Sequence, residues 1–240
     1  MKKGEIKKQE ILATAEELFC KKGYETTSIQ DILDQLNTSK GSFYHHYASK
    51  EILLEAICYH RAEVLAQSII LTMNDCVPPM ENLNTLLSGM IPLTGEKFDF
   101  LMMILPVFDL PEGRQIRFSY AESLAGCFRE AVIKELRRGN DSGELYCTDI
   151  GYTADFVFLI INELWYRIFL MIIQSEKAGR NIDYAEILRM IYACRISMER
   201  MISAPFGSIR LLELDDLKEL TEQIRVQLKK IDIIKGGTNK

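Results

Sequence analysis

The segment Asn37–Glu51, NTSKGSFYHHYASKE, concentrates side chains that can hold protons and form hydrogen bonds. Directly after Phe43 come four ring side chains in a row: Tyr44, His45, His46 and Tyr47. The paired histidines leave three alternatives, which are a metal site, a piece of core and a surface that binds a partner. A metal site is the weakest of these, because adjacent helical residues point about 100° apart and no third ligand stands at a suitable spacing.

The remaining composition argues against an enzyme. All three histidines lie at or before residue 60, and the rest of the chain shows no paired catalytic carboxylates, metal-spaced ligands or Ser/Cys–His set. The six cysteines are scattered without a CxxC spacing, which predicts reduced, mostly buried thiols in a cytosolic protein. We therefore expect no catalytic residues, no metal and no cofactor.

Helical periodicity positions the ring-bearing segment. A first helix is predicted from about Ile6 to Lys22, with Gly23 as its C-terminal stop. Its buried face recurs at helical spacing: Ile11, Leu12, Ala15, Leu18 and Phe19. The stretch TSIQ, Thr27 to Gln30, has the form of a capping box and so predicts that Thr27 begins a second helix.

The second and third helices are predicted to be joined by a tight turn. Asn37 suits the left-handed conformation that ends a helix, and Ser39 can cap a short third helix over Lys40–His46. The three-residue turn NTS has the spacing of a helix-turn-helix motif. Ser49 is then expected to cap a fourth helix that runs to about Met73.

The third helix has two chemically different sides. One side offers a cation, bare backbone and hydrogen-bonding rings, with a hydroxyl at its edge: Lys40, Gly41, Tyr44, His45 and Ser42. The other side carries Phe43, His46 and Tyr47, and Phe43 is expected to pack on the second helix. At about 12 Å the helix matches the width of the DNA major groove.

These residue types suit DNA. Lys40 is the candidate base or phosphate contact, while Tyr44, His45 and Lys50 can donate to phosphate oxygens. Gly41 lowers helix stability by ~1 kcal/mol relative to Ala, but it allows a DNA backbone or base edge to come close. The alternative is a packing glycine beside tyrosine and histidine residues at the boundary of the core.

The charge distribution agrees with a local polyanion contact. The net charge is −5, yet residues 1–50 hold 8 Lys against 7 acidic residues, so the excess of acid lies beyond them. The start MKKGEIKKQE leads into an amphipathic pattern and predicts no signal peptide.

The most apolar run, 156–173, contains Asn162, Glu163 and Arg167, and charged residues near the middle of a membrane helix are costly. The run therefore predicts a buried helix, no membrane contact and a cytoplasmic protein.

The rest of the chain also reads as helical. Turn-type segments separate about six more predicted helices, at 80–91, 96–108, 112–138, 149–175, 182–203 and 211–231. We expect an all-α fold with an N-terminal three-helix helix-turn-helix domain at 1–48 and a larger helical domain at 49–240, whose residues 49–73 form a connecting helix.

Residues from about Ile6 to Leu54 resemble the DNA-binding domain of the TetR family of bacterial transcriptional repressors. The resemblance rests on AEELFCKKGYETTSIQDIL and TSKGSFYHHYASKEILLEA, the second of which is similar to the family form S-K-G-x-L-Y-Y-H-F-x-S-K-E-x-L. Five positions are as the family has them: Lys40, Gly41, Tyr44, His46 and Lys50. His45 replaces the common second tyrosine. The resemblance implies that His46 approaches the DNA backbone and that Thr27, or its neighbour Thr26, contacts a phosphate.

The resemblance also implies that residues 49–240 bind an effector and form a dimer. Helix 149–175 is apolar on nearly every side and needs partners on every side, and helix 182–203 carries one apolar stripe. These two helices are the candidates for a four-helix bundle between subunits. The alternative is that 149–175 is the central core helix of a monomer.

Candidate effector contacts come from segments rich in Met and aromatic residues, which adapt to irregular apolar shapes. The aromatic and Met candidates are Phe100, Met103, Phe108, Phe118, Phe128, Trp165 and Phe169. Polar anchors could come from Asp109, Arg114, Glu163 or Arg167. The effector is expected to be a largely apolar small molecule, although such side chains are also ordinary core.

Together these patterns predict a ligand-responsive DNA-binding regulator, namely a homodimeric repressor that a small molecule releases from its operator. Two alternatives stay open at the level of sequence. One is an all-helical enzyme or binding protein that shares the fold, and the other is a constitutive or protein-partnered regulator.

Overall fold

The computed structural model describes residues 3–90, 105, 108 and 111–237. Within these residues the chain is all α-helical, as predicted, with nine helices and no strand. The helices are α1 Lys3–Lys22, α2 Ile29–Gln35, α3 Lys40–His46, α4 Lys50–Ile70, α5 Pro79–Gly89, α6 Pro111–Ser142, α7 Ile150–Lys177, α8 Tyr184–Met201 and α9 Leu214–Gly237. The helix predicted at 96–108 lies outside the described residues apart from Leu105 and Phe108.

The chain divides into two compact units. The first contains Met1–Ala62 and Thr94–Ser123, and the second contains Glu63–Leu93 and Leu124–Lys240. The division therefore falls inside α4 rather than at residue 48, where the sequence places the domain boundary. The first half of α4 buries Leu53 and Ile57, and Arg61 pairs with Glu16 of α1, which explains why this half belongs to the first unit.

The buried face of α1 is the predicted one: Ile11, Leu12, Ala15, Leu18 and Phe19. Gly23 ends the helix at φ 90°, a left-handed conformation that favours glycine, and Asn37 has φ 46° after α2. Both predicted helix stops are confirmed. Ser39 and Ser49 accept hydrogen bonds from the amides of Ser42 and Ile52, each at 3.3 Å, so the predicted caps of α3 and α4 are confirmed as well.

The predicted capping box of α2 is one residue out of register. The cap is Ser28, whose side chain accepts from the Asp31 amide at 3.1 Å, while the Asp31 carboxylate accepts from the Ser28 amide at 2.8 Å. Thr27 cannot cap because its side chain is turned inward. Its hydroxyl donates to the carbonyl of Gly23 at 2.8 Å and lies 3.3 Å from that of Leu18.

We predict that Ser28→Ala lowers the free energy of unfolding by about 1 kcal/mol, the usual cost of losing a serine cap. Urea denaturation followed by circular dichroism measures this loss. Gln30→Ala is the control and should cost less than about 0.5 kcal/mol. If Gln30→Ala cost more than Ser28→Ala, the capping box would run from Thr27 to Gln30.

Hydrogen bonds from Ser28 hold the pKa of Asp31 at about 2, so this carboxylate stabilises the fold above pH 4 and ceases to do so as the pH falls towards 2.

In the second unit α7 packs against α8 and α9, and α8 also packs against α9. The core side of α7 is lined by large apolar residues: Val157, Phe158, Ile161, Leu164, Trp165, Ile168, Phe169, Ile172 and Ile173. Among the described helices, α7 alone is long and apolar enough to cross a membrane, although half of its most apolar window is buried in the protein. The core helix of a soluble protein has these same properties.

Candidate nucleic-acid interface

The inner side of α3 anchors it to the first unit. Phe43 is fully buried, and Tyr47, the C-terminal cap of the helix, is almost as buried. The Tyr47 hydroxyl donates to the carbonyl of Lys8 in α1 at 3.4 Å. Burial, and then the negative charge of Glu5, raise the pKa of Tyr47 to about 12, so the hydroxyl keeps its proton at neutral pH. The predicted core contacts of α3 are therefore present.

The outer side of α3 presents the predicted groups to solvent. Lys40, Gly41, Tyr44 and His45 are exposed, and Ser42 is half-buried at the edge. Tyr44 keeps 52% of its surface exposed although its ring meets Phe43 edge-on at 5.3 Å. A large hydrogen-bonding ring is thus held in a fixed orientation by the core side chain beneath it.

Gly41 has no packing role that the structure reveals. A Cβ added at this position would meet only the Ser39 hydroxyl, at 3.9 Å, and would otherwise point into open space. The fold therefore does not need a glycine here, and the alternative of a packing glycine loses its support. Close approach by a partner is the remaining physical reason for a residue that weakens the helix.

The two histidines lie on different surfaces. Their rings are 4.9 Å apart and nearly perpendicular, with His45 exposed and His46 half-buried. His46 faces the start of α1, because a Cβ added at Gly4 would lie 4.0 Å from its Cε1 atom. No group of three or more metal-ligating side chains occurs in the described part of the chain.

Two predicted phosphate contacts are engaged inside the protein. Thr27 is fully buried, so the prediction that its side chain meets a phosphate is wrong for this conformation. Lys50 donates to the carbonyls of Tyr24 at 2.9 Å and Thr27 at 3.2 Å, and its ammonium lies 4.1 Å from the centre of the Tyr24 ring. Lys50 is half-buried and binds the α1–α2 loop to α4, a role that the sequence does not reveal.

The described effector candidates of the first unit differ in how far they are exposed to solvent. Phe100, Met103 and Asp109 lie outside the described residues. Phe108 is buried beneath the guanidinium of Arg117, whose carbon is 4.6 Å from the ring centre. Phe118 is 58% exposed and Arg114 is also exposed, and the expectation that they contact an effector stays a prediction.

In the second unit the candidates on α7 separate onto two sides. Glu163 and Arg167 form a 2.6 Å ion pair on the exposed side of α7, and the expectation that they anchor a ligand stays a prediction. Trp165 and Phe169 are buried with ring centres 5.9 Å apart, and Phe128 is fully buried. Among the described residues the indole N–H of Trp165 has no hydrogen-bond partner. A buried donor without an acceptor is costly, and a bound molecule could supply the acceptor.

One face of α7 is apolar and uncovered. Tyr152, Phe156 and Leu159 keep 68%, 52% and 63% of their surfaces exposed, and they recur at helical spacing ahead of Glu163 and Arg167. Burial raises the pKa of the half-buried Cys194 thiol, and the charges of Arg167, which lowers it, and Glu163, which raises it, act on it as well, so the end of this face that carries Glu163 and Arg167 lies near α8. The sequence predicted apolar residues all round α7 but not which side would stay uncovered.

Comparison with known proteins matches the α1–α4 region to a family. Residues 11–57 match the family described as "Bacterial regulatory proteins, tetR family". Among curated relatives, the helix-turn-helix transcriptional regulator YerO of Bacillus subtilis is 32% identical over 153 residues, which are 62% of this chain and 52% of YerO. The chain thus spans about half the length of that relative.

The transcriptional repressor KstR2 of Mycobacterium tuberculosis is 25% identical over 167 residues, covering 66% of this chain and 80% of the repressor. The crystal structure of RolR in complex with resorcinol superposes with a TM-score of 0.56 at 14% identity, covering 92% of this chain and 94% of that one. At this identity the superposition establishes the fold alone. The matched family and curated relatives are transcriptional regulators, not enzymes.

Proposed function

We propose that the chain belongs to the TetR family of bacterial transcriptional regulators and that it is a homodimeric repressor which a small molecule releases from its operator. Residues 1–48 would bind DNA, and residues 49–240 would bind the effector and form the dimer. The single observation that carries the DNA-binding part is the outer side of α3, where Lys40, Gly41 and Tyr44 are exposed above a fully buried Phe43.

The contacts follow from the chemistry of these groups. Lys40 can bind a guanine edge or a phosphate, while Tyr44, His45 and Ser42 can donate to phosphate oxygens. His46 lies at the boundary of the core and can reach the backbone beside them. Thr26 replaces Thr27 as the candidate hydroxyl before α2, because Thr26 is exposed; its hydroxyl donates to the Lys22 carbonyl in this structure and would turn outward to meet a phosphate.

Dimer formation is supported by the uncovered apolar face of α7. Tyr152, Phe156 and Leu159 are exposed at helical spacing along α7, and apolar surface of this kind often marks an interface with a partner. A second copy applying the same α7 and α8 surface would form a two-fold interface. Two α3 helices could then enter successive major grooves, about 34–36 Å apart.

Effector binding is supported by the unsatisfied indole N–H of Trp165 beside Phe169. The proposed effector is a largely apolar small molecule. RolR, which has a similar fold, binds the small molecule resorcinol, and this supports the proposal.

Because α4 is one continuous helix whose residues belong to both units, a ligand-dependent tilt of α4 would change the separation of the two α3 helices. A coupling of about 1–3 kcal/mol between the two sites suffices for regulation. The protein would act in the cytoplasm, where the DNA is.

Fluorescence anisotropy of the full chain with a labelled duplex from upstream of its own gene tests the proposal. We expect a saturable complex that weakens steeply as salt rises from 50 to 200 mM, because phosphate contacts release counterions. A scrambled duplex of equal length is the control and should bind at least about 1000-fold more weakly. Absence of a complex at low salt with any neighbouring promoter would overturn the proposal.

Screening a small-molecule library for compounds that dissociate the complex then identifies the effector class. A complex that no compound dissociates favours a constitutive regulator.

A further inference from the structure

The lysines of the first unit differ in what their ammonium groups contact. Six lysine side chains are described within the first 50 residues, and four of them are engaged by other groups of the protein. Lys7, Lys21 and Lys22 pair with carboxylates, and Lys50 donates to two backbone carbonyls. Within this described set, only Lys8 and Lys40 have no ion-pair or hydrogen-bond partner for the ammonium.

These two lysines lie at opposite ends of α3. Lys40 is the first residue of the helix, and Lys8 is held beside its last turn because the Tyr47 hydroxyl donates to the Lys8 carbonyl. Gly4, one helical turn before Lys8, lies against His46. Gly4 and Lys8 continue the stripe of α1 that buries Ile11 and Ala15 further along, so the fold itself sets this position.

A groove-binding helix is flanked by phosphates on both sides, because the two DNA backbones border the groove. We propose that Lys8 is a second phosphate-binding residue, contacting the DNA backbone next to the C-terminal end of α3 as Lys40 does near its start. This inference rests on the proposed DNA-binding function. It also explains why an exposed lysine is placed where no protein carboxylate pairs with it.

Glu5 carries the opposite charge on α1, three residues before Lys8. Its carboxylate is close enough to Tyr47 to raise the pKa of that side chain, after the larger effect of burial. Glu5 therefore repels a nearby phosphate, whereas Lys8 attracts one. The two residues offer variants with effects of opposite sign at one location.

The test is the salt dependence of DNA affinity, measured by anisotropy from 50 to 300 mM KCl. In Lys8→Gln the slope of log K against log salt should fall by about 0.9 for each lost phosphate contact, or about 1.8 for a dimer. The fall should be equal on operator and scrambled DNA, because phosphates carry no sequence information. Glu5→Gln should tighten binding to both duplexes.

Lys21→Gln is the matched control, since it removes the same charge from the other end of α1. Its slope should equal that of the wild type. If the wild type binds DNA and Lys8→Gln behaves like Lys21→Gln, the Lys8 contact is wrong while the proposed function stands. If the wild type binds no DNA, the proposed function fails and the Lys8 contact fails with it.

Discussion

Replacing Lys40 and Tyr44 together by alanine should lower the affinity for operator DNA by at least about 100-fold and leave the fold intact. Hydrogen bonds to charged groups contribute about 1.5–3 kcal/mol each, and each subunit of the dimer loses both contacts. Stability should change little, because Tyr44 is 52% exposed and Lys40 has no described partner. Anisotropy measures the affinity, and urea denaturation measures the stability.

The chain offers a matched control in the same compact unit. Lys21 and Tyr59 have the same side-chain types, and Tyr59 is 54% exposed on α4. The double variant Lys21→Ala with Tyr59→Ala removes the same charge and ring area, so a non-specific electrostatic effect would weaken binding equally. Equal losses of DNA affinity in the two double variants would show that α3 is not the DNA-binding surface.

Gly41→Ala separates DNA contact from stability more sharply. The added methyl group points into open space and improves helix propensity, so the free energy of unfolding should rise by as much as ~1 kcal/mol. DNA affinity should nevertheless fall, because the methyl group occupies space that a base edge or phosphate needs. Gly126→Ala in α6, where a Cβ also meets nothing within 4 Å, is the control for propensity alone. A Gly41→Ala protein that binds DNA as tightly as the wild type would contradict close approach at this position.

The sequence predicts α3 well because its determinants are local. Ser39 caps the helix, Asn37 ends the preceding one, and the spacing of Phe43 and Tyr47 assigns the buried side. Each of these signals lies within about ten residues of the helix. The exposed side then follows by elimination, which is why Lys40, Gly41, Tyr44 and His45 could be named without a structure.

Two predictions differ from the structure because a backbone carbonyl outside the sequence motif accepts the hydrogen bond of the side chain. Thr27 turns inward because the carbonyls of Gly23 and Leu18 accept its hydroxyl, and this shifts the cap to Ser28. Lys50 is engaged because the fold brings the Tyr24 carbonyl within 2.9 Å. Neither acceptor is visible in a local motif, since a capping pattern in sequence tests only residues three apart.

The sides of α7 could not be assigned from the sequence for a different reason. An almost wholly apolar helix such as α7 carries no periodicity to show which side meets solvent, so Glu163 and Arg167 could be placed inside as readily as Trp165. In the structure α7 packs against α8 and α9, and Trp165 and Phe169 are buried whereas Leu159 is exposed. Composition alone predicts that α7 needs partners, but not where they lie.

Leu159→Glu should convert the proposed dimer into a monomer, because it places a carboxylate from each subunit in the uncovered apolar face of α7. Burying an unpaired carboxylate costs several kcal/mol, and a two-fold interface brings two of them together. Glutamate and leucine have similar helix propensities, and Leu159 is 63% exposed, so the fold of the single chain should survive. Light scattering after size exclusion should give 27.6 kDa in place of about twice that mass.

Leu71→Glu is the matched control for this variant. Leu71 is 85% exposed directly after α4 and receives the same chemical change outside α7, so its variant should remain dimeric. If both variants stay dimeric, the α7 face is not the interface and the proposed two-fold arrangement is wrong.

The same variant connects assembly to DNA binding. A dimer on two half-sites gains from an effective concentration in the millimolar range, which a monomer loses. We therefore expect Leu159→Glu to bind the full operator at least about 100-fold more weakly than the wild type, with roughly half its salt slope because half of the phosphate contacts remain. Its affinity for a duplex with a single half-site should equal that of a wild-type subunit, since Lys40, Tyr44 and Lys8 are unchanged. A monomer that keeps full operator affinity would show that one α3 helix is enough to bind the operator. An effector could then not act by changing the distance between two α3 helices.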